Sequence, residues 1–236
     1  MSFLDLDKMT AITPEVFQGA EPYPWVNPAG LLQPEAYDTL RRTLPKQDLF
    51  ASRFDVRRRH GQQPHDRFTL EYHPAVKVDP EWHAFIDELQ ADDYRHWIRD
   101  LFGVRRFFLT FHWHYTPRGC SVSPHCDATR KLGSHIFYFN TEEDWDPSWG
   151  GETLILDDGG RLDPRSAPGF DAFDTAIESQ ALGNHSLLFG RRGNSWHGVR
   201  ELTCPPDHLR KVFIVVINRL TPHAFAKRWA ARWGLA

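Results

Sequence analysis

Phe107-Phe108-Leu109-Thr110-Phe111-His112-Trp113-His114-Tyr115 is the stretch that decides the fold. Large apolar side chains recur at every second position. Phe107, Leu109, Phe111, Trp113 and Tyr115 share one face, and Phe108, Thr110, His112 and His114 share the other. A period of two marks a β-strand, because successive side chains leave a pleated chain on opposite sides.

Outward from this strand, further short strands are predicted at 134–140, 153–157, 186–189, around 196–199 and at 211–218, divided by Gly and Pro. Many short strands separated by turn residues read as an all-β sandwich or barrel. Upstream the period becomes helical. Pro34 suits a first turn, and Ala36, Tyr37, Leu40 and Leu44 make an apolar face that Pro45 ends. Asp79-Pro80-Glu81 supplies a cap, a proline and a first-turn acid ahead of Trp82, Phe85, Ile86 and Leu89. Asp92 or Asp93 is expected to cap a following helix, with Tyr94, Trp97, Ile98 and Leu101 inward and Gly103 as its stop. These helices are expected to cover a sheet.

Residues 1–30 are Pro-rich and predicted irregular, with 23–28 an extended arm. Residues 54–72 hold a strand-like piece and the run Arg57-Arg58-Arg59, read as a solvated hairpin edge or else as a contact for an anionic substrate. Residues 158–183 are rich in Gly, Pro and Asp, as functional lids or disordered loops are, and 223–233 reads as a helix. The organisation expected is a single domain over 1–236: an N-terminal arm with supporting helices (1–103), a β core (104–220) and a C-terminal helix (221–236).

Composition excludes several classes. With 236 residues, 41% of them hydrophobic, the chain can bury one sizeable core. A formal net charge of −3 provides no basic field for nucleic acid. No apolar run approaches the roughly 20 residues that span a bilayer. Cys120, Cys126 and Cys204 are odd in number and lack CxxC spacing, which fits a reducing compartment. The N-terminal residues lack the basic and apolar regions of a signal peptide. A cytoplasmic protein that binds neither membrane nor nucleic acid is the expectation; the oligomeric state is left open.

The chemistry centres on Ser123-Pro124-His125-Cys126-Asp127. In an extended strand His125 and Asp127 project together and Cys126 faces away. With His197 from a distant strand they make a two-histidine, one-carboxylate facial triad, the donor set that suits non-haem Fe(II) and leaves coordination positions open. His112 and His114 also share a strand face, but no carboxylate accompanies them, and they are read as structural. His135 is read as packing or as support to the site.

Several other pieces accompany the triad. Tyr115 precedes it, and the strand of 134–140 follows, carrying Tyr138. Then come Trp149-Gly150-Gly151-Glu152-Thr153-Leu154, Trp196-His197-Gly198-Val199, and Arg210 opening the apolar strand that ends at Ile217. In this order and spacing, the segment from about Phe107 to Arg219 resembles the Fe(II)/2-oxoglutarate-dependent dioxygenases, in their prolyl-4-hydroxylase-like branch. The resemblance covers about half the chain. It implies a mainly β fold with supporting helices, a double-stranded β-helix (jelly roll, cupin-like).

The resemblance further implies that His125, Asp127 and His197 are the iron ligands and catalytic centre. It implies Fe(II), 2-oxoglutarate as cosubstrate, O2, and ascorbate as a candidate reductant. Arg210 would hold the distal carboxylate of 2-oxoglutarate, with Tyr138 helping and Tyr115 lining the same pocket. Lys211, on the other face by strand parity, and Arg219 are the weaker candidates for the clamp. The reaction implied is hydroxylation of an unactivated C–H bond, with 2-oxoglutarate decarboxylated to succinate and CO2. The substrate would be a small molecule, such as an amino acid or natural product, or a prolyl or other side chain in a protein. Retention of Asp127 argues against halogenation, which needs room for halide at the metal.

Thr129, Arg130 and Lys131, with Arg191, Arg192 and Arg200, are candidates for a positive pocket mouth. Two other classes compete with the hydroxylase: a non-catalytic, metal-binding jelly-roll module for sensing or protein interaction, and a cupin-like isomerase or hydrolase using another metal. Neither needs Arg210.

Overall fold

Residues 2–220 are described by a computed structural model; the helix predicted at 223–233 lies outside the described residues. In chain order the longer helices are α1 (Leu6–Thr10), α2 (Pro14–Gln18), α3 (Pro34–Arg42), α4 (Pro80–Gln90) and α5 (Asp92–Phe102). The strands are β1 (Trp25–Val26), β2 (Ala51–Arg53), β3 (Arg67–Glu71), β4 (Phe107–Pro117), β5 (Val122–His125), β6 (Lys131–Tyr138), β7 (Leu154–Asp157), β8 (Thr175–Glu178), β9 (Ser186–Gly190), β10 (Trp196–Val199) and β11 (Leu209–Arg219). They form a seven-stranded sheet in the order β1-β9-β6-β11-β4-β3-β2 and a four-stranded sheet in the order β5-β10-β7-β8. Every pairing is antiparallel. The expected mainly β jelly roll with supporting helices is present.

The alternation in β4 has a direct structural meaning. Phe107, Leu109, Phe111, Trp113 and Tyr115 are buried beneath the helices. Phe213 of β11 sits at the centre of that layer, with ring centroids 5.1 Å from both Trp82 and Trp113. The opposite face of the large sheet turns toward the small one, where Ile136, Tyr138, Ile155, Leu187, Phe189 and Val212 form a second core. The large sheet is thus buried on both faces, which is why β9 and most of β6 read as continuous apolar or small-residue runs rather than alternating ones.

Local chemistry explains the helix boundaries. The Asp79 side chain accepts from the Glu81 amide, and Pro80 begins α4. In α5, however, Ala91 is the cap residue, and Asp92 and Asp93 lie within the first turn, where they favour the helix dipole without capping it. Gly103 ends α5 in the left-handed conformation, φ 60°. Helix α3 stops at Arg42, one turn before Pro45.

Three segments differ from expectation. Residues 1–30 contain two short helices, and their extended arm joins the large sheet as β1 against β9. The long loop is interrupted by β8, and its irregular part packs on the outer face of the small sheet. There Phe170 and Phe173 lie against Leu154, Leu156 and Trp196. Residues 54–66, between β2 and β3, instead bring Arg58 and His65 to the space between the sheets, and Gln62 Nε2 ties them to the loop by donating to the Ser166 carbonyl.

Candidate metal centre

His197 lies directly across from His125 in the β5–β10 pair, so both imidazoles emerge on the inner face. Their ring centroids are 4.4 Å apart. Asp127 follows two residues after the end of β5. One donor atom from each of His125, Asp127 and His197 lies within 4.8 Å of the others, and all three residues are buried; this is the one such grouping among the described residues.

The neighbours prepare these donors. His125 Nδ1 lies 3.0 Å from the Ser123 carbonyl, and His197 Nδ1 lies 3.0 Å from the Ser195 carbonyl. A carbonyl can only accept, so each Nδ1 carries the proton and each Nε2 keeps a free lone pair. Burial, with the neighbouring imidazoles, holds His125 well below the usual imidazole range. Burial also lowers His197, against the pull of Asp127. Burial alone would raise Asp127; the Lys131 ammonium, paired and hydrogen-bonded with it, outweighs burial and holds the carboxylate ionised. Asp127 accepts from Lys131 Nζ at 2.6 Å and from Ser134 Oγ at 3.3 Å. Two neutral imidazoles and one ionised carboxylate, gathered on one wall, fit a divalent cation with positions left open on the cavity side.

The cavity in front of this wall has a volume of about 190 Å3. Its floor is the inner face of the large sheet, including Val212, Ile214 and Val216 of β11. Arg210 shares their parity and is buried at one end. Its guanidinium donates to the Gly151 carbonyl and to Thr153 Oγ1, and lies 5.6 Å from the Tyr138 ring centroid. Gly151 has φ 107°, and a Cβ there would lie 3.3 Å from Arg210 Cδ. The Gly-Gly turn therefore lets backbone approach the guanidinium closely. Tyr138 Oη is hydrogen-bonded to Thr153 Oγ1 (2.9 Å) and Ser179 Oγ (3.0 Å). A more open cleft of about 740 Å3 reaches Arg210 from the side of residues 140–152.

Other residues fall differently from the sequence reading. Tyr115 does not line the cavity. It belongs to the helix-facing side of β4, where its hydroxyl donates to the Pro45 carbonyl and its ring stacks on Phe50 at 4.2 Å. The same parity turns His112 and His114 inward, so both line the cavity rather than serving only as packing. Lys211 faces away from Arg210 and pairs with Asp144. Trp196 is fully buried on the outer face of the small sheet and is no pocket wall. His135 packs under the helices, with Nδ1 3.0 Å from Tyr94 Oη.

Of the residues expected at a positive mouth, Lys131 lines the cavity and the others do not. Arg191 donates to the Asp127 carbonyl, Arg192 to Gln18, and Arg200 pairs with Glu178. Arg58, His65 and Arg67 line the cavity instead. The His65 ring lies tilted against His125, centroids 4.6 Å apart, and was missed from sequence, since nothing local distinguishes it.

No protein-family model matches the chain, and no curated protein matches it in sequence. Solved structures do. A prolyl-4-hydroxylase from Pseudomonas putida matches with a TM-score of 0.59 at 18% identity, covering 89% of this chain and 100% of that one. A prolyl hydroxylase from Trichoplax adhaerens, in complex with a peptide fragment of the hypoxia-inducible factor oxygen degradation domain, matches at 0.58 and 11% identity, covering 90% and 88%. The non-haem α-ketoglutarate-dependent carbocyclase SnoK of nogalamycin biosynthesis matches at 0.59 and 11%, covering 92% and 87%. Two facing antiparallel sheets, helices behind the larger one and a cavity between them are common ground across nearly the whole chain: this protein has the fold of the prolyl-4-hydroxylases and related non-haem, 2-oxoglutarate-dependent enzymes.

Proposed function

We propose that this protein is an Fe(II)- and 2-oxoglutarate-dependent dioxygenase that hydroxylates an unactivated C–H bond. The observation that carries the reading is the buried trio His125, Asp127 and His197 on one wall of a cavity that also holds a buried arginine. A metal serving structure alone is normally enclosed by four protein ligands, whereas three on one side leave room for exogenous ones.

Each residue has a role in this reading. His125 and His197 offer Nε2 and Asp127 a carboxylate oxygen, and the carbonyls of Ser123 and Ser195 fix the rings. Arg210 receives the distal carboxylate of 2-oxoglutarate, because a planar guanidinium pairs bidentately and stays charged. Tyr138, through Thr153, holds Arg210 in place. The apolar floor of Val212, Ile214 and Val216 keeps water from competing for these contacts. Fe(II) held by the trio supplies the electron chemistry that O2 needs to attack a C–H bond. Overall, the substrate C–H, 2-oxoglutarate and O2 become C–OH, succinate and CO2, with one oxygen atom entering each oxidised organic product.

Anaerobic titration with Fe(II) and 2-oxoglutarate tests this reading. A weak visible charge-transfer band near about 500 nm should need both components and vanish in His125→Ala. Iron binding without any such band would refute the cosubstrate assignment and favour the non-catalytic module.

A further inference from the structure

We propose that the primary substrate is a small anionic molecule, whose carboxylate or phosphate is received by Arg58 and Arg67. This rests on the dioxygenase reading for its meaning, but not for its test.

The first argument is charge. The cavity is lined by Arg58, Arg67, Lys131 and Arg210, against the single carboxylate of Asp127. Lys131 already pairs with that carboxylate. A divalent cation and a 2-oxoglutarate dianion bring equal and opposite charge, so the positive surplus persists once both are bound. Like charges gathered where water is scarce are unfavourable without a counter-ion, and an anionic substrate supplies one.

The second argument is that these two guanidinium groups are under-partnered. Neither makes an ion pair among the described residues. Arg67 donates one bond, from Nη1 to the His65 carbonyl at 2.6 Å, and its buried Nε has no partner. Arg58 reaches only Gln62 Oε1, at 3.5 Å. Their sequence neighbours Arg57 and Arg59 lie outside this cavity, so the grouping is not a general property of the arginine run.

The third argument is position. The β3–β4 register, Phe68 opposite Tyr115, brings Arg67 opposite Thr116, and Thr116 pairs with Arg210. Arg67 and Arg210 are therefore two strands apart, about 10 Å at the backbone. That spacing allows a separate anion site beside the cosubstrate clamp. Arg58 and His65 bring an irregular segment to the cavity wall. A space of about 190 Å3 favours a small molecule over an extended peptide.

Thermal denaturation of the apo protein with sulfate, inorganic phosphate or acetate, at constant ionic strength set by chloride, reads the site without iron. Wild type should show saturable stabilisation. Arg58→Ala and Arg67→Ala should weaken it about 10- to 100-fold, while Arg57→Ala and Arg59→Ala should not. Circular dichroism checks that each variant is folded. With Fe(II) and 2-oxoglutarate bound anaerobically, a panel of amino acids, their amides and phosphomonoesters then separates carboxylate from phosphate. Acids should bind and amides should not.

In the same samples the charge-transfer titration should give Arg58→Ala and Arg67→Ala a 2-oxoglutarate affinity within about twofold of wild type. The proposal is overturned if wild type holds no anion, if Arg57→Ala weakens binding equally, or if the amides bind as well as the acids. It is also overturned if Arg58→Ala or Arg67→Ala loses 2-oxoglutarate instead, which would assign these arginines to the cosubstrate. Loss of the charge-transfer band in wild type, with the anion site intact, would instead refute the dioxygenase reading alone.

Discussion

Replacing Arg210 with methionine should separate stability from cosubstrate binding. The guanidinium is buried and has no ion-pair partner among the described residues. Removing such a charge from water costs several kcal/mol. Its charged bonds to Gly151 and Thr153 return about 1.5–3 kcal/mol each and its place over the Tyr138 ring about 1 kcal/mol, so the two sides nearly cancel. Methionine fills similar volume without the charge, so Arg210→Met apo protein should stay within about 1 kcal/mol of wild type. For a domain of this size that is about 2–4 °C in Tm. A buried charge pair that loses one partner costs about 2–5 kcal/mol, so 2-oxoglutarate affinity should fall about 30- to 4,000-fold. Anaerobic titration of the charge-transfer band gives the affinity, and differential scanning calorimetry of the apo protein gives the stability. A variant that binds 2-oxoglutarate normally, yet melts more than about 5 °C lower, would refute the reasoning: Arg210 would then be a structural strut.

Asp127→Ala should leave the protein folded but reduce Fe(II) retained through gel filtration at least about tenfold, as measured by metal content. Acid should destabilise the protein through His135. Burial pushes this imidazole down to about 3, so between that value and its ordinary 6.5 the unfolded chain binds the extra proton and stability is lost as pH falls. His135→Leu should therefore flatten the slope of unfolding free energy between about pH 6 and 4 by about 1.4 kcal/mol per pH unit in urea titrations. Phe213→Ala, which empties the aromatic layer behind β11, should cost about 3–5 kcal/mol by the same method. Gly133→Ala places a methyl group against the Phe189 carbonyl and within 2.8 Å of the Phe102 ring, and should lower Tm markedly while Gly193→Ala, with open space around it, does not.

Strand periodicity made the β core legible because the large sheet meets an aromatic layer on one side: Phe107 to Tyr115 could only be read one way. The His-x-Asp motif and the distant His197 were legible for a similar reason. Strand parity fixes which side chains share a face, and the β5–β10 pairing then brings the two histidines opposite each other. Parity also placed Arg210 and Lys211 on different faces. The role that the resemblance implied for Tyr115 failed, since the apolar face of β4 turns toward the helices and the polar face, with His112 and His114, toward the cavity. Sequence alternation shows that two faces differ, but not which one meets the other sheet. The arginine run offered a contact for an anionic substrate, but that Arg58 alone of the three lines the cavity, and that His65 joins it, was illegible, because their placement depends on the course of an irregular segment held by contacts such as Gln62 to Ser166. The course of 158–183 was illegible likewise: apolar Phe170 and Phe173 cover an outer sheet face, residues 178–183 line the cleft that reaches Arg210, and nothing in the sequence separates the two placements.

Strand β11 lies between β4 and β6, pairing along its whole length with one and along most of the other, yet it is the last strand among the described residues. During synthesis, β4 and β6 therefore wait with open edges until residue 219 has left the ribosome. Those edges carry some of the most apolar side chains of the core, in the form most prone to join a neighbouring nascent chain. The sheet closes and the two walls of the cavity meet only once β11 has emerged, not by progressive growth of the domain. Expression yield should respond to chaperone supply and to translation rate through the codons of β11, and any truncation upstream of residue 209 should accumulate as aggregate rather than as a smaller folded protein.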